Sequence, residues 1–184
     1  MMNPLRTERL LIRPIRADDL DDFIAIFSDP EVCRYLGDGR PRSRERVELS
    51  LRNSLLCWER HGFGLCAVEA DDVVLGDCMI TPIARSGVDA TDLDVRGPEI
   101  EIGYRLGRSA WGKGYATEAA RALLAWAMEA DDGPRLPRLV AVAYPENAAS
   151  RRVLEKIGMR HCGETEAYYD MRLSLFATGA HETA

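Results

Sequence analysis

The spacing of apolar residues predicts a strand, a loop and a helix between residues 98 and 128, and the other predicted elements flank this unit. Glu99–Leu106 alternates with a period of two, which is typical of a strand. From Ala116 to Met128, apolar residues recur with the period of an α-helix. The strand should have two unlike faces, with Ile100, Ile102, Tyr104 and Leu106 on one and Glu99, Glu101, Gly103 and Arg105 on the other.

Similar patterns predict further elements on both sides of this unit. Strands are expected at residues 9–13, 63–69, 73–81, 139–144 and 171–176, the last paired with one near 160–162, and helices at residues 18–27, 44–61 and 147–157. Residues 139–144 are continuously apolar, as in a strand that is buried on both faces. Because a helix joins this strand to the one at 99–106, the two should lie parallel. We therefore expect an α/β fold with a mixed sheet of about six or seven strands.

Size and charge narrow the classes of function. The 184 residues, of which 46% are hydrophobic and 29% charged, suit a single domain over residues 1–184, with a core at about 5–176 and a loose tail at 177–184. The net charge of −6 argues against a nucleic-acid partner and suits an amine substrate. No apolar run approaches the roughly 18 residues of a membrane span, and no signal peptide is evident. A cytoplasmic protein without a membrane partner is expected.

The residues that most often bind metals form no recognisable pattern. Five cysteines and three histidines are scattered along the chain without the spacing of a zinc or redox site. We expect reduced, mostly buried thiols and no metal site.

Four aspartates, at positions 18, 19, 21 and 22, lie at the start of the first predicted helix. Negative charge there interacts favourably with the helix dipole. Attraction of a basic substrate is the alternative explanation, and the sequence leaves both open.

The loop between the central strand and helix is suited to binding phosphate. The first turn of a helix has about four unpaired backbone N–H groups and a partial positive charge. Gly112 and Gly114 lack a Cβ atom, so a bulky anion can approach their backbone closely. Arg108 and Lys113 add positive charge. The loop is therefore a candidate cradle for a phosphate or pyrophosphate.

Two well-known phosphate-binding loops match this segment poorly. The P-loop pattern fits from Gly107 to Lys113, but Gly114 replaces the hydroxyl residue that binds magnesium. The strand at 139–144 also has no acidic residue for a metal. The dinucleotide fingerprint requires a third glycine where Thr117 stands, and it normally lies in an opening βαβ unit.

A third pattern fits well. The loop resembles motif A of the GNAT superfamily of N-acetyltransferases, [QR]-x-x-G-x-[GA], with Gly114 and Ala116 in the last two fixed positions. Trp111 replaces the usual Gln or Arg, as in the branch that resembles Rim-type ribosomal-protein N-terminal alanine or serine acetyltransferases, where W-G-K-G-Y-A-T-E-A is familiar. The segments at residues 7–14 and 147–159 resemble two further parts of that branch.

This resemblance implies both a fold and an activity. The fold is that of acyl-CoA N-acyltransferases: a central mixed, mostly antiparallel sheet with a splayed parallel strand pair and helices on both faces. The activity is direct transfer of an acetyl group from acetyl-CoA to a primary amine, either the α-amine of a protein or a small-molecule amine. A non-catalytic acyl-CoA-sensing module on the same fold is the alternative. A monomer and a homodimer remain equally open.

The resemblance also implies which residues bind acetyl-CoA. The pyrophosphate should meet the loop and the first turn of the helix, and the pantetheine should lie against the backbone of the central strand. Asn147 matches a pantetheine contact in the family, and Arg152 is a candidate for the 3′-phosphate. The expected set is Tyr104, Leu106, Trp111, Gly112, Lys113, Gly114, Tyr115, Ala116, Thr117, Asn147 and Arg152.

Three residues are candidates for acid–base chemistry. Glu101 matches the strand position of a catalytic carboxylate in several members of the superfamily and would deprotonate the amine. The alternative is that it only pairs with Arg105. Ser150 matches a proposed proton donor for the leaving thiolate, and Tyr144 is a second candidate for that role. The loops at 34–42 and 84–98, which should border the acceptor, contain no recognisable specificity motif.

Overall fold

A computed structural model of the protein describes residues 2–89, 92, 97 and 99–179. The strands form one mixed sheet in the order β1-β2-β3-β4-β5-β6-β8-β7. All neighbours are antiparallel except β5 and β6, which are parallel. The strands are β1 (Leu5–Arg6), β2 (Leu11–Pro14), β3 (Leu65–Ala70), β4 (Val73–Pro82), β5 (Ile100–Leu106), β6 (Val140–Ala143), β7 (Arg160–Thr165) and β8 (Leu173–Ala177).

The predicted fold class is confirmed, but the predicted number of strands is wrong. The described residues form eight strands because Leu5–Arg6 adds a two-residue edge strand that pairs with β2. A segment this short has no alternation to detect, and only its pairing makes it a strand.

Among the described residues, five α-helices flank the sheet: α1 (Leu20–Phe27), α2 (Pro30–Cys33), α3 (Arg44–His61), α4 (Tyr115–Met128) and α5 (Ala148–Lys156). Local caps set their ends. The Ser43 side chain accepts a hydrogen bond from the N–H of Arg46 at the start of α3, and Gly62 ends that helix with φ = 71°. The short helix α2, a single turn capped by the Asp29 side chain, was not predicted from the sequence.

The helices cover both faces of the sheet. Residues of α1 and α3 lie beside Asp77 and Arg105 on one face. On the other face, α4 packs against β4 and β5 and contacts α5. Tyr104 points away from the Arg105 face and reaches Ser150 on α5. As a result, β5 has buried side chains on both faces.

β5 and β6 pair over a very short distance. Their register consists of the single pair Glu101↔Val140, although β5 continues to Leu106. Beyond that pair the two strands separate. The expected splayed parallel pair is therefore present, and it leaves the second half of β5 without a neighbour on that side.

The predicted start of the C-terminal tail is wrong, and much of the predicted 84–98 loop lies outside the described residues. Ala177 ends β8, and Thr178 is buried with its N–H bonded to the Leu139 carbonyl at 3.0 Å, so the tail begins later than residue 177. Residues 180–184 lie outside the described residues. So do residues 90, 91, 93–96 and 98 of the predicted 84–98 loop.

Within the described ranges, no helix is long and apolar enough to cross a membrane. The same part of the chain contains no group of three side chains that could hold a metal ion. All five cysteines are present as free thiols, and four of them are buried.

Candidate active site

The gap between β5 and β6 opens into a cavity of about 940 Å³. Further walls come from α3 and from the segment that precedes it. Five of the predicted site residues line this cavity: Glu101, Tyr104, Tyr144, Asn147 and Ser150. Side chains that are up to 49 positions apart in sequence therefore converge on one space.

The backbone of β5 presents alternate residues to the gap. The Gly107 N–H donates to the Leu75 carbonyl (2.8 Å), and the Glu99 carbonyl accepts from the Ile83 N–H (2.9 Å), so odd-numbered residues face β4. Even-numbered residues, including Tyr104, consequently direct their backbone groups toward the gap. The Leu106 carbonyl also points there and accepts a hydrogen bond from the Trp111 indole at 2.7 Å.

Glu101 lies at the point where the two strands separate. Its residue is 3% exposed, and the Tyr169 hydroxyl donates a hydrogen bond to its Oε1 atom. The alternative partner, Arg105, instead binds Asp77, with Nε 2.9 Å from Oδ1. The Glu101 carboxylate therefore faces the cavity with a tyrosine as its hydrogen-bond donor.

Tyr169 was missed by the sequence analysis, because no motif marks it. It lies in the turn between β7 and β8, where Tyr169 and Asp170 both have positive φ values, 58° and 56°. Two bonds tie this turn to the segment after β4: the Tyr169 N–H donates to the Ala84 carbonyl (3.2 Å), and the Gly87 N–H donates to Asp170 (2.8 Å). This cross-link sets the position of the Tyr169 hydroxyl.

Glu99, two residues before Glu101, has a different environment. The Tyr168 hydroxyl donates to its Oε2 at 2.9 Å, and Arg85 forms an ion pair with it at 2.6 Å. Burial, followed by the hydrogen bond with Glu99, raises the pKa of Tyr168 to about 12. Glu99 therefore joins two loops, whereas Glu101 faces the cavity.

The two proposed proton donors differ in their partners. The Tyr104 hydroxyl donates to the Ser150 carbonyl (2.8 Å) and lies 3.0 Å from the Ser150 hydroxyl; burial raises the pKa of Tyr104. Asn147 caps α5 by accepting from the Ser150 N–H at 3.1 Å. The Tyr144 hydroxyl donates to the Gly37 carbonyl at 2.7 Å, and burial raises its pKa as well.

The glycine loop has the conformation of an anion cradle. Gly112 and Gly114 have φ values of 73° and 82°, and Gly114 is the N-cap of the 14-residue helix α4. A Cβ atom at Gly112 would meet nothing within 4 Å, so the loop is open to solvent. Exposed backbone, a helix N-terminus and the cation of Lys113 together suit a pyrophosphate group.

Side chains from the N-terminal segment brace this loop, and the sequence did not predict these contacts. Arg9 donates to the Lys113 carbonyl (2.9 Å) and to Glu118 (2.8 Å), and the Thr7 hydroxyl donates to Glu118 (2.6 Å). The Arg9 guanidinium also lies 4.7 Å from the centre of the Tyr115 ring. The segment at 7–14 was singled out only as an opening strand, and the pairing between these distant charges needed the structure.

Comparison with known families agrees with this geometry. A model described as an acetyltransferase (GNAT) domain matches residues 9–160. The chain belongs to the GNAT family of acetyltransferases. Members of this family use acetyl-CoA, and the predicted enzyme class is confirmed.

Two bacterial relatives are similar to this acetyltransferase over most of their length. YnaD of Bacillus subtilis (strain 168), an uncharacterised N-acetyltransferase, is 43% identical over 161 residues, which is 86% of this chain and 84% of the relative. The uncharacterised N-acetyltransferase p20 of Bacillus licheniformis is 31% identical over 170 residues, or 91% and 88% of the two chains.

Solved structures give the same result for the fold. The acetyltransferase of Agrobacterium tumefaciens str. C58 has a TM-score of 0.76 at 26% identity, with 98% of this chain and 96% of that one covered. RimL, a ribosomal L7/L12 α-N-protein acetyltransferase in complex with coenzyme A, has a TM-score of 0.73 at 16% identity, covering 95% and 97%. The predicted resemblance to Rim-type enzymes therefore holds at the level of fold.

The remaining predicted contacts of this acetyltransferase lie outside the cavity lining. Trp111 is 47% exposed and fixes the loop through its bond to Leu106. Arg152 is exposed on α5. The residues Tyr115, Ala116 and Thr117 form the first turn of α4. Donor-binding candidates are thus divided between the cavity and the loop above it.

Proposed function

We propose that the protein transfers an acetyl group directly from acetyl-CoA to a primary amine, with Glu101 as the general base. The observation that carries this proposal is the position of Glu101, a buried carboxylate that faces a cavity where β5 and β6 separate. Burial of a carboxylate is costly unless it is hydrogen-bonded, and the Tyr169 hydroxyl supplies such a bond here. A hydrogen-bonded carboxylate that also lines a cavity is placed to accept a proton from an amine bound there.

Two parts of the chain would hold the donor. The backbone amides from Lys113 to Thr117 would bind the pyrophosphate at the N-terminus of α4. The gap-facing backbone of Tyr104 and Leu106 would pair with the pantetheine as a neighbouring strand does, and Asn147 would contact it from α5. When it is bound, acetyl-CoA supplies the activated acetyl group.

The acid–base roles follow from the contacts of each side chain. Glu101, held in place by the Tyr169 hydroxyl, would take a proton from the incoming amine. Ser150, whose hydroxyl lies beside that of Tyr104, would return a proton to the leaving thiolate. Tyr144 is less suited to that role because its own proton is directed to the Gly37 carbonyl.

The acceptor is a primary amine, and both a protein α-amine and a small molecule are compatible with the cavity. RimL supports the first through its fold only, because its identity to this chain is 16%. The segment at 35–43 and the turn that carries Tyr169 would contact the acceptor, since both line the cavity beside Glu101.

Calorimetric titration with acetyl-CoA, with ATP–magnesium and NAD as controls, tests the donor. Thiol release with a panel of amines then tests transfer by the wild type, Glu101→Gln and Glu99→Gln. We expect acetyl-CoA alone to bind, and Glu101→Gln to retain binding while kcat falls about 100-fold. Glu99→Gln is the matched control and should retain turnover. Absence of acetyl-CoA binding by a folded sample, or normal turnover by Glu101→Gln, would refute the proposal.

A further inference from the structure

Arg42 presents an incompletely neutralised positive charge to the acceptor cavity. Its side chain lines the cavity, and the residue is half-buried just before α3. The Arg42 N–H donates to the Phe27 carbonyl at 2.9 Å, and its guanidinium lies 5.0 Å from the centre of the Phe27 ring. The backbone and the side chain of Arg42 are therefore both fixed against α1.

A second guanidinium contacts the same ring. Arg105 also lies 5.0 Å from the Phe27 ring centre. Its charge is matched by the fully buried Asp77, with nitrogen–oxygen distances of 2.9 and 2.8 Å. Asp77 therefore acts on both cations, but only Arg105 pairs with it, through one hydrogen bond and one further close contact. The negative charge of Glu101 also acts on Arg105.

Arg42 has no carboxylate of its own among residues 2–89, 92, 97 and 99–179. Burial, followed by the nearby charge of Arg105, lowers the pKa of Arg42 to about 10. The cationic form is thus destabilised in the free protein. Asp77 offsets this cost only in part, because its ion pair is with Arg105. A bound anion would place a counter-charge directly beside Arg42 and favour its cationic form.

The acidic residues at the cavity do not favour the opposite conclusion, a polycationic acceptor. The exposed Asp38 accepts the Arg40 N–H at 3.1 Å, and the exposed Asp170 accepts the Gly87 N–H at 2.8 Å. Asp89, which also lines the cavity, is exposed as well. These three carboxylates therefore lie at the solvent-facing rim. Arg42 lies deeper, next to a buried ion pair.

We propose that Arg42 binds a carboxylate on the acceptor, so that the substrate is a primary amine that carries a carboxylate several bonds away from the nitrogen. This inference rests on the proposed acetyl transfer with Glu101 as base. Arg40 and Arg46 also line the cavity but are exposed, whereas Arg42 is half-buried and held beside Phe27. Its planar guanidinium fits a carboxylate in two-point geometry.

The backbone positions of Glu101 and Arg105 are four residues apart on β5, or about 13 Å. Because Arg42 lies beside Arg105 on the Phe27 ring, an acceptor that reaches both Glu101 and Arg42 is elongated.

The test compares carboxylates with their neutral amides. One pair of probes is 6-aminohexanoate and 6-aminohexanamide, and a second pair is the free-amine peptides Ala-Asp-Gly amide and Ala-Asn-Gly amide. The two pairs distinguish a small-molecule acceptor from a peptide. Acetylation is measured by thiol release for the wild type, Arg42→Gln, Arg42→Lys and Arg44→Gln. Arg44 is the matched control because its guanidinium pairs with Asp21 at the surface, 3.0 Å away.

In at least one pair we expect the wild type to prefer the carboxylate by about tenfold in kcat/KM, with the difference in KM. Arg42→Gln should reduce the preference to less than about twofold, Arg42→Lys should retain part of it, and Arg44→Gln should retain all of it. Equal rates for both members of each pair, no acetylation of either carboxylate, or a preference that survives Arg42→Gln would overturn the inference. Calorimetry on the same samples shows whether such a failure extends to the proposed function. If acetyl-CoA does not bind, the proposed function is refuted as well. If acetyl-CoA binds, only the role of Arg42 is refuted.

If Arg42→Gln does not fold, as judged by circular dichroism, Arg42→Lys decides the matter. Lysine keeps the charge but loses the two-point contact, so the carboxylate preference should fall by at least about threefold. An unchanged preference in a folded Arg42→Lys protein would also overturn the inference.

Discussion

The Tyr169 hydroxyl donates a hydrogen bond to the carboxylate of Glu101, although the two residues lie 68 positions apart. Tyr169 sits in a turn whose backbone is bonded to the segment after β4, so the donor is held by the loop and not by the strand that carries the acid. A rigid donor of this kind restricts the carboxylate to one orientation, which suits a base that must meet its substrate in one geometry.

Tyr169→Phe should therefore impair turnover more than binding. We expect kcat to fall about tenfold, because the carboxylate loses its fixed orientation, while the Kd for acetyl-CoA changes little. Steady-state kinetics and calorimetry measure the two quantities. Tyr168→Phe is the matched control, since Tyr168 donates to Glu99 instead. Equal losses in both variants would show that the tyrosines only stabilise the loops.

Gly114→Val tests the anion cradle. Gly114 has φ = 82° at the N-cap of α4, where a β-branched residue is strained and its side chain would obstruct the approach to the backbone amides. We expect affinity for acetyl-CoA to fall at least about tenfold by calorimetry. Gly62→Val controls for strain alone, because Gly62 has φ = 71° at the end of α3. That variant should lose stability and retain affinity; if both bind normally, the cradle lies elsewhere.

Ser150→Ala should lower kcat by about 10- to 100-fold if Ser150 returns the proton to the thiolate. Tyr144→Phe should have a smaller effect, because the Tyr144 hydroxyl is engaged with Gly37. Turnover is measured at saturating acetyl-CoA, and the unfolding midpoint of each variant checks that the cap of α5 is intact. The reverse order of the two effects would assign the proton to Tyr144.

Asp19 should make stability depend on pH. Burial raises the pKa of Asp19, but hydrogen bonds from Arg13 (2.8 and 2.6 Å) and from the Arg16 N–H (2.7 Å) outweigh it, so the net pKa is lowered. A lowered pKa gives stability that is present above the unfolded value of about 3.9 and is lost as the pH falls through the folded value.

Asp19→Asn should accordingly reduce the free energy of unfolding by about 3 kcal/mol at pH 7, because it breaks a buried ion pair. Urea unfolding at pH 7 and pH 3 measures this difference, which should shrink at the lower pH. Asp22→Asn is the control, since Asp22 is exposed on α1. A difference between Asp19→Asn and the wild type that does not change with pH would contradict the assignment.

The local pattern was sufficient to predict most elements of this protein. The period of two in Glu99–Leu106 and the helical period after it gave β5 and α4. The caps of α3 and α5 are Ser43 and Asn147, residue types that are typical of helix N-termini. These features depend on neighbours within a few positions, which a sequence displays directly. The glycine loop was equally readable, because its conformation is local.

The pairing of charges and hydroxyls depended on the tertiary structure. The four aspartates at the start of the first helix looked equivalent in sequence, yet only Asp19 is buried against Arg13, while the other three are exposed. Glu99 and Glu101 lie on the same face of β5, but loops that meet only in the folded protein give one an arginine and the other a tyrosine in the cavity.

The sequence by itself thus determined the family, most of the strands and helices, and the residue types available for acetyl transfer. Only the tertiary structure showed that Tyr169 donates a hydrogen bond to Glu101 and that Arg9 and Glu118 brace the glycine loop. It also showed that Asp77 pairs with Arg105 and not with Arg42. The physical reason is the sequence separation over which each interaction acts. Periodicity and capping act over a few residues, whereas ion pairs and hydrogen bonds depend on distances that are fixed only when remote segments pack together.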